Sequence, residues 1–126
     1  MTTATQLTGT DKQIAWATDI RSAALLALPA SYAAWKAQTE RVVDAARPYV
    51  DEDPESGTDV EVGERRLALA DKIMAALPEV PDAEFWIDHR GLLTSNDTSG
   101  GTFAHLVLAV EGNRPGTAPL ANRITA

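Results

Sequence analysis

The chain has 126 residues, 44% of them hydrophobic and 23% charged, which is enough for one packed domain and too little for two ordinary ones. It carries 18 acidic against 11 basic side chains, a net charge of −7, and no cysteine. This excludes a disulfide framework, a thiolate metal site and a cysteine nucleophile, and it disfavours binding to nucleic-acid phosphates.

The charge is unevenly spread. Residues 1–50 hold five basic and four acidic side chains, residues 51–90 hold four and twelve, and residues 91–126 hold two of each. No apolar run approaches the roughly 18 residues of a membrane span. Residues 1–8 carry no positive charge ahead of an apolar stretch, so no signal peptide is expected and the expected location is the cytoplasm.

Residues 1–9 are read as a flexible N-terminus. Thr10-Asp11-Lys12-Gln13 then has the form of a capping box. The helix it opens is predicted to run to about residue 28, where Pro29 interrupts. Ile14, Trp16, Ala17, Ile20, Ala24, Leu25 and Leu28 share one broad arc at about 100° per residue, with Gln13 and Arg21 falling inside it. A second helix is predicted over 31–47, stopped by Pro48, and residues 48–59 are predicted to be an acidic loop. Thr58-Asp59-Val60-Glu61 offers another capping box, followed by a third helix with Leu67, Ala70, Ile73, Met74 and Leu77 on its apolar face. Asp82 is placed to cap a short helix over 83–90, with Gly91 ending it. Residues 92–101 read as a loop. Residues 102–112 fit both a helix and a buried strand, and helix is preferred because a lone strand would have no partner. Residues 113–126 are predicted to be a tail. The expected fold is thus all-α: a single compact domain of four or five helices over 10–112, with an acidic loop and a flexible C-terminal tail.

Three chemical motifs are weighed. Asp51, Asp53, Glu55 and Asp59 alternate like calcium-loop ligands, but Ser56 stands where glycine is needed and Val62 where a bidentate Glu is needed. His89 and His105, with Asp88 or Asp97, lack the spacing of a helix-borne metal pair. Ser99-Gly100-Gly101-Thr102 precedes a helix and offers backbone N–H groups to an anion, without P-loop spacing or a neighbouring lysine. No metal, cofactor or catalytic residue is expected.

Two stretches stand out. One runs from Leu7-Thr8-Gly9-Thr10-Asp11-Lys12-Gln13-Ile14-Ala15-Trp16-Ala17 to Ile20-Arg21; the other is Asp82-Ala83-Glu84-Phe85-Trp86-Ile87-Asp88-His89-Arg90. Together they resemble a family of small bacterial and phage or mobile-element proteins with an opening TG-x-x-KQ-x-x-WA-x-x-IR pattern and a later W-I-D-x-R motif. Family members often have Asn where this chain has His89. The resemblance covers about a quarter of the chain. It implies a compact helical domain and transfers no catalytic residues.

The motif aromatics are core material on one reading and interface anchors on the other. The candidate binding residues are Gln13, Trp16, Arg21, Trp86, Asp88 and Arg90. Arg21, inside the apolar arc, is expected to be partly buried and to pair with Asp88, or alternatively Glu84. The expected function is that of a non-enzymatic protein binding another macromolecule, its acidic face suited to a basic protein surface. An inhibitory, host-defence or anti-defence role fits such charge mimicry. The alternative is a nucleic-acid-associated module using Lys12, Arg21, Lys36, Arg41 and Arg47, provided that these converge on one face. A small-molecule pocket between the helices is a third reading.

Overall fold

The computed structural model describes residues 5–95 and 97–125. It is all-α, one compact domain of six helices: α1 Asp11–Ala46, α2 Pro54–Ala76, α3 Ala83–Asp88, α4 Arg90–Leu93, α5 Gly101–Glu111 and α6 Ala118–Thr125. Single 3-10 turns follow α1 and α2 and precede α6. None of the described helices is long and apolar enough to cross a membrane.

The start of α1 follows the local code. Thr10 accepts a hydrogen bond from the Gln13 N–H, and the Gln13 side chain accepts one from the Thr10 N–H, completing the capping box. The predicted break at Pro29 does not occur. Helix α1 continues through it for 36 residues. An interior proline removes one backbone hydrogen bond, here to the Leu25 carbonyl, at a cost of about 3 kcal/mol. Pro29 is exposed, so water can reach that region. Leu28, Ser31 and Trp35 on either side of it are buried along one stripe with Ala17, Ile20 and Ala24. Burying one continuous stripe outweighs the local penalty.

That stripe is narrower than the predicted arc. Trp16 lies about 100° from its centre at Ala17 and is half-exposed, and Leu25 is also exposed.

The predicted acidic loop is mostly helix. Asp53 caps α2 by accepting from the Glu55 N–H, and Pro54 takes the first helical position, where its missing N–H costs nothing. The predicted capping box at Thr58 is therefore inside the helix, and the Thr58 hydroxyl donates to the Pro54 carbonyl instead. Helix α2 returns antiparallel to α1. At Gly63 the two helices lie so close that a Cβ would run into the Val43 side chain. Farther along, the Arg47 guanidinium meets Glu64 and the Tyr32 hydroxyl donates to Asp71.

After Leu77 and the buried Val80 the chain turns into α3, which packs against the first half of α1. Helix α3 stops at Asp88, two residues before the predicted end, and Gly91 lies inside α4 rather than ending a helix. Asp82 makes no side-chain capping bond.

The preference for helix over 102–112 holds, as α5. Its first backbone donors are all satisfied. Gly101 N–H donates to Ser99 Oγ, Thr102 N–H to Asp97 Oδ2 and Phe103 N–H to the buried Ser31 Oγ. Gly100, at φ +91°, sits so close to α1 that a Cβ there would be 2.8 Å from the Trp35 amide nitrogen. Phe103 packs between Tyr32 and Trp35. At the other end of α5, Arg66 of α2 grips Glu111 with two charge-assisted hydrogen bonds, of 3.0 and 2.9 Å.

Residues 113–125, read as a tail, are built into the domain. Asn113 adopts φ 53°, Asn113 N–H donates to the Val110 carbonyl and Arg114 N–H to the Ala109 carbonyl. This is a Schellman turn with asparagine in the left-handed position usually held by glycine. It redirects the chain into α6, whose Leu120 is fully buried.

Candidate functional site

The two distinctive motifs meet. Thr8 and Asp82 form an isolated parallel bridge, with Thr8 N–H donating to the Pro81 carbonyl at 2.8 Å and Ala83 N–H to the Thr8 carbonyl at 3.0 Å. Gly9 follows at φ +147°, where a Cβ would lie 2.9 Å from Gln13 Oε1 and 3.2 Å from the Ala83 methyl. The opening motif is thus a docking device. A threonine bridges, a glycine permits the turn and close approach, and a capping box starts α1.

Three of the six candidate binding residues, Gln13, Trp86 and Arg21, serve that junction. Gln13 is committed to the capping box. Trp86 is fully buried, with its indole N–H donating to the Val80 carbonyl at 3.1 Å. Phe85 stacks edge-on against it. Arg21 is half-buried, as its wheel position required, but its partner is not a carboxylate. Its guanidinium donates to the Thr5 carbonyl, and no ion pair joins it to Asp88 or Glu84 among the described residues. Asp88 is exposed. A backbone carbonyl satisfies a guanidinium N–H without burying a second charge, and it pins the chain ahead of α1 to the helix surface.

The exposed remainder is an aromatic–cation pair. Trp16 is 49% exposed on α1. The Arg90 guanidinium lies 5.0 Å from its ring centroid and donates to the Ile87 carbonyl at 2.7 Å. Stacking on indole and anchoring to a carbonyl hold Arg90 in one orientation, so an apolar plate and a planar cation are presented side by side. Sequence alone placed Trp16 on the buried arc and assigned Arg90 no partner. The signal it carried was the helical offset of Trp16 from Ala17.

The other sequence candidates resolve differently. The backbone donors around Ser99 and Thr102 are occupied by Asp97 and Ser31, so the segment read as an anion cradle is filled by the chain's own groups. Those bonds, led by the Ser99 hydroxyl and followed by the Thr102 and Ser99 N–H groups, hold the Asp97 carboxyl well below the usual carboxylate range. Of the calcium-like series, Asp53 is a helix cap, while Glu55 and Asp59 lie on α2. His89 and His105 both border a groove of about 880 Å³ between the 89–92 segment, α5 and the 114–117 turn. Among the described residues no three His, Asp or Glu side chains are grouped to hold a metal.

Comparison with protein-family models, with curated proteins and with solved structures gave no match.

Proposed function

We propose that the protein is a non-enzymatic, acidic helical binding protein that engages another protein through the Trp16–Arg90 face, in the cytoplasm of a bacterial or phage-infected cell. The observation that carries this reading is the half-exposed Trp16 with Arg90 fixed against it. Tryptophan and arginine dominate the energetics of protein interfaces, because each presents a large, pre-ordered surface that loses little entropy on binding. The core of this junction already has Trp86, Phe85 and Ala83 fully or nearly fully buried, so Trp16 is not needed to fill it. The resemblance of the two motifs to mobile-element proteins supports the setting, in which such a protein acts as an inhibitor or as a host-defence or anti-defence factor.

The acidic run is a separate feature. Asp51, Glu52, Asp53, Glu55, Asp59, Glu61 and Glu64 are all exposed, with no basic residue between them in sequence. They start just beyond the far end of α1, about 45 Å from Trp16 by helical rise. Their contribution is long-range steering toward a basic partner rather than contact at the same face.

The nucleic-acid reading fares less well. On α1, Lys12, Arg21, Lys36 and Arg41 point at roughly 0°, 180°, 240° and 20° around the helix axis, and Arg47 lies just beyond its end, so the five do not share a face. Arg21 is held by Thr5, and Arg47 pairs with Glu64 and Asp44.

The test is affinity capture from the source cell with wild-type protein, Trp16→Ala, Arg90→Ala and the exposed control Arg41→Ala, each verified as folded by circular dichroism. The reading requires a protein retained by wild type and control and lost by both face variants. Capture insensitive to both would refute it, and submicromolar binding to random duplex DNA at physiological salt would favour the nucleic-acid alternative.

A further inference from the structure

We propose that the groove bordered by His89, His105 and Arg114 binds a small carboxylate with an apolar body. This site is independent of the Trp16–Arg90 face.

The groove follows from three local devices. The Schellman turn at Asn113 swings Arg114 and Pro115 back across the end of α5. Gly116 has no side chain, and this lets His89 approach: a Cβ there would lie 3.2 Å from His89 Cε1. His89 Nε2 lies 2.7 Å from the Gly116 carbonyl oxygen. A carbonyl only accepts, so Nε2 carries the proton and the ring is fixed in place. The Thr117 hydroxyl donates to the Arg114 carbonyl at 2.8 Å and tightens the same turn. The 114–117 wall of the groove is therefore held by hydrogen bonds, one of them from His89.

Its chemistry is divided. Leu92, Leu108, Ala109 and Pro115 supply apolar walls, and Leu108 is 51% exposed despite being aliphatic. The titratable side chains of the lining are His89, His105 and Arg114, all of them basic. The chain has 18 acidic side chains, and among the described residues none lines this groove. Glu111, the acidic residue of α5, lies about 120° around the helix from His105 and is held by Arg66. No ion pair engages the Arg114 guanidinium among the described residues. An unpaired planar fork beside exposed apolar carbon matches a carboxylate head on a hydrocarbon or aromatic body. The volume of about 880 Å³ falls in the range of small-molecule sites.

The probe is octanoate, titrated into uniformly ¹⁵N-labelled full-length protein, with acetate, octanol and octylamine as controls. Expected are saturable amide shifts confined to 89–92, 105–109 and 114–117. Octanol and acetate should each bind about tenfold or more weakly, since one lacks the charge and the other the apolar body. Arg114→Gln should weaken octanoate about tenfold, and Leu108→Asn should weaken octanoate but not acetate, while Arg123→Gln on α6 leaves both unchanged. Arg114 and Leu108 are exposed, so these variants are expected to fold, and an unchanged amide spectrum away from the groove verifies it. Absence of saturable shifts in the millimolar range overturns the proposal. So do shifts spread over the whole surface, octanol binding as tightly as octanoate, or indifference to Arg114→Gln.

Discussion

Ser31 gives a sharp test of how α1 and α5 are joined. Its hydroxyl is fully buried and accepts the Phe103 N–H at 3.1 Å. That N–H is one of the donors a helix start leaves without an intrahelical partner. In Ser31→Ala the donor stays buried and loses its acceptor, a loss of about 1–3 kcal/mol. Alanine favours a helix interior over serine by up to about 0.5 kcal/mol, which opposes the loss. The net expectation is destabilisation by about 0.5–2.5 kcal/mol. At about 3–5 °C per kcal/mol for a domain of this size, Tm falls by about 2–12 °C. Ser22→Ala is the matched control, because Ser22 is exposed on the same helix and reports the propensity change alone. Urea and thermal unfolding of both variants, with hydrogen exchange at the Phe103 amide, decide the matter. If Ser31→Ala matches Ser22→Ala within a few tenths of a kcal/mol and the amide stays protected, the Ser31 hydroxyl does not hold the helix start, and the argument fails.

Three other outcomes are expected. Gly9→Ala forces a Cβ onto a backbone at φ +147° and into Gln13 and Ala83, so it should destabilise by about 2 kcal/mol or more in chemical denaturation; a neutral effect would mean that the motif junction is plastic. Because Arg21 bonds to Thr5 rather than to Asp88, Arg21→Ala and Asp88→Ala should combine additively within about 0.5 kcal/mol; a coupling above about 1 kcal/mol would restore the carboxylate clamp. Asp97 has a depressed folded-state pKa, so its stabilising contribution is present above the unfolded value near pH 4 and is lost as pH falls below it. Asp97→Asn should therefore be less stable at neutral pH but lose less stability on acidification, and an unchanged acid slope would contradict the assignment.

Much of the fold was legible because it rests on local chemistry. The capping box at Thr10 and Gln13, the apolar period from Phe103 to Val110, and the apolar character of 85–87 each depend on residues within a turn or two of one another. The three readings that failed, a break at Pro29, a loop running on to residue 59 and a tail from 113, also came from local signals. Proline at Pro29 was outweighed by burial on both sides. Proline at Pro54 was a helix start rather than a stop. The left-handed residue at Asn113 ended one helix and led into another. A proline or a turn residue shows only that the backbone is constrained. Whether the helix resumes depends on what the next stretch can bury.

The candidate site divides in the same way. By itself the sequence determined an all-α chain, where its charge lies, that Arg21 belongs to the apolar side of its helix, and that the segments around Trp16 and Trp86 are unlike the rest. Those properties follow from composition and from periodicities of a few residues. Only the tertiary structure decided that Trp86 is core while Trp16 is open, that Arg90 stacks on Trp16, that Arg21 meets a backbone carbonyl, and that His89, His105 and Arg114 share one groove. His89 and Arg114 lie 25 positions apart, and Trp16 and Arg90 lie 74 apart. Such distant side chains meet only because burying the α1 stripe fixes how the other helices lie against it, and no local rule carries that information.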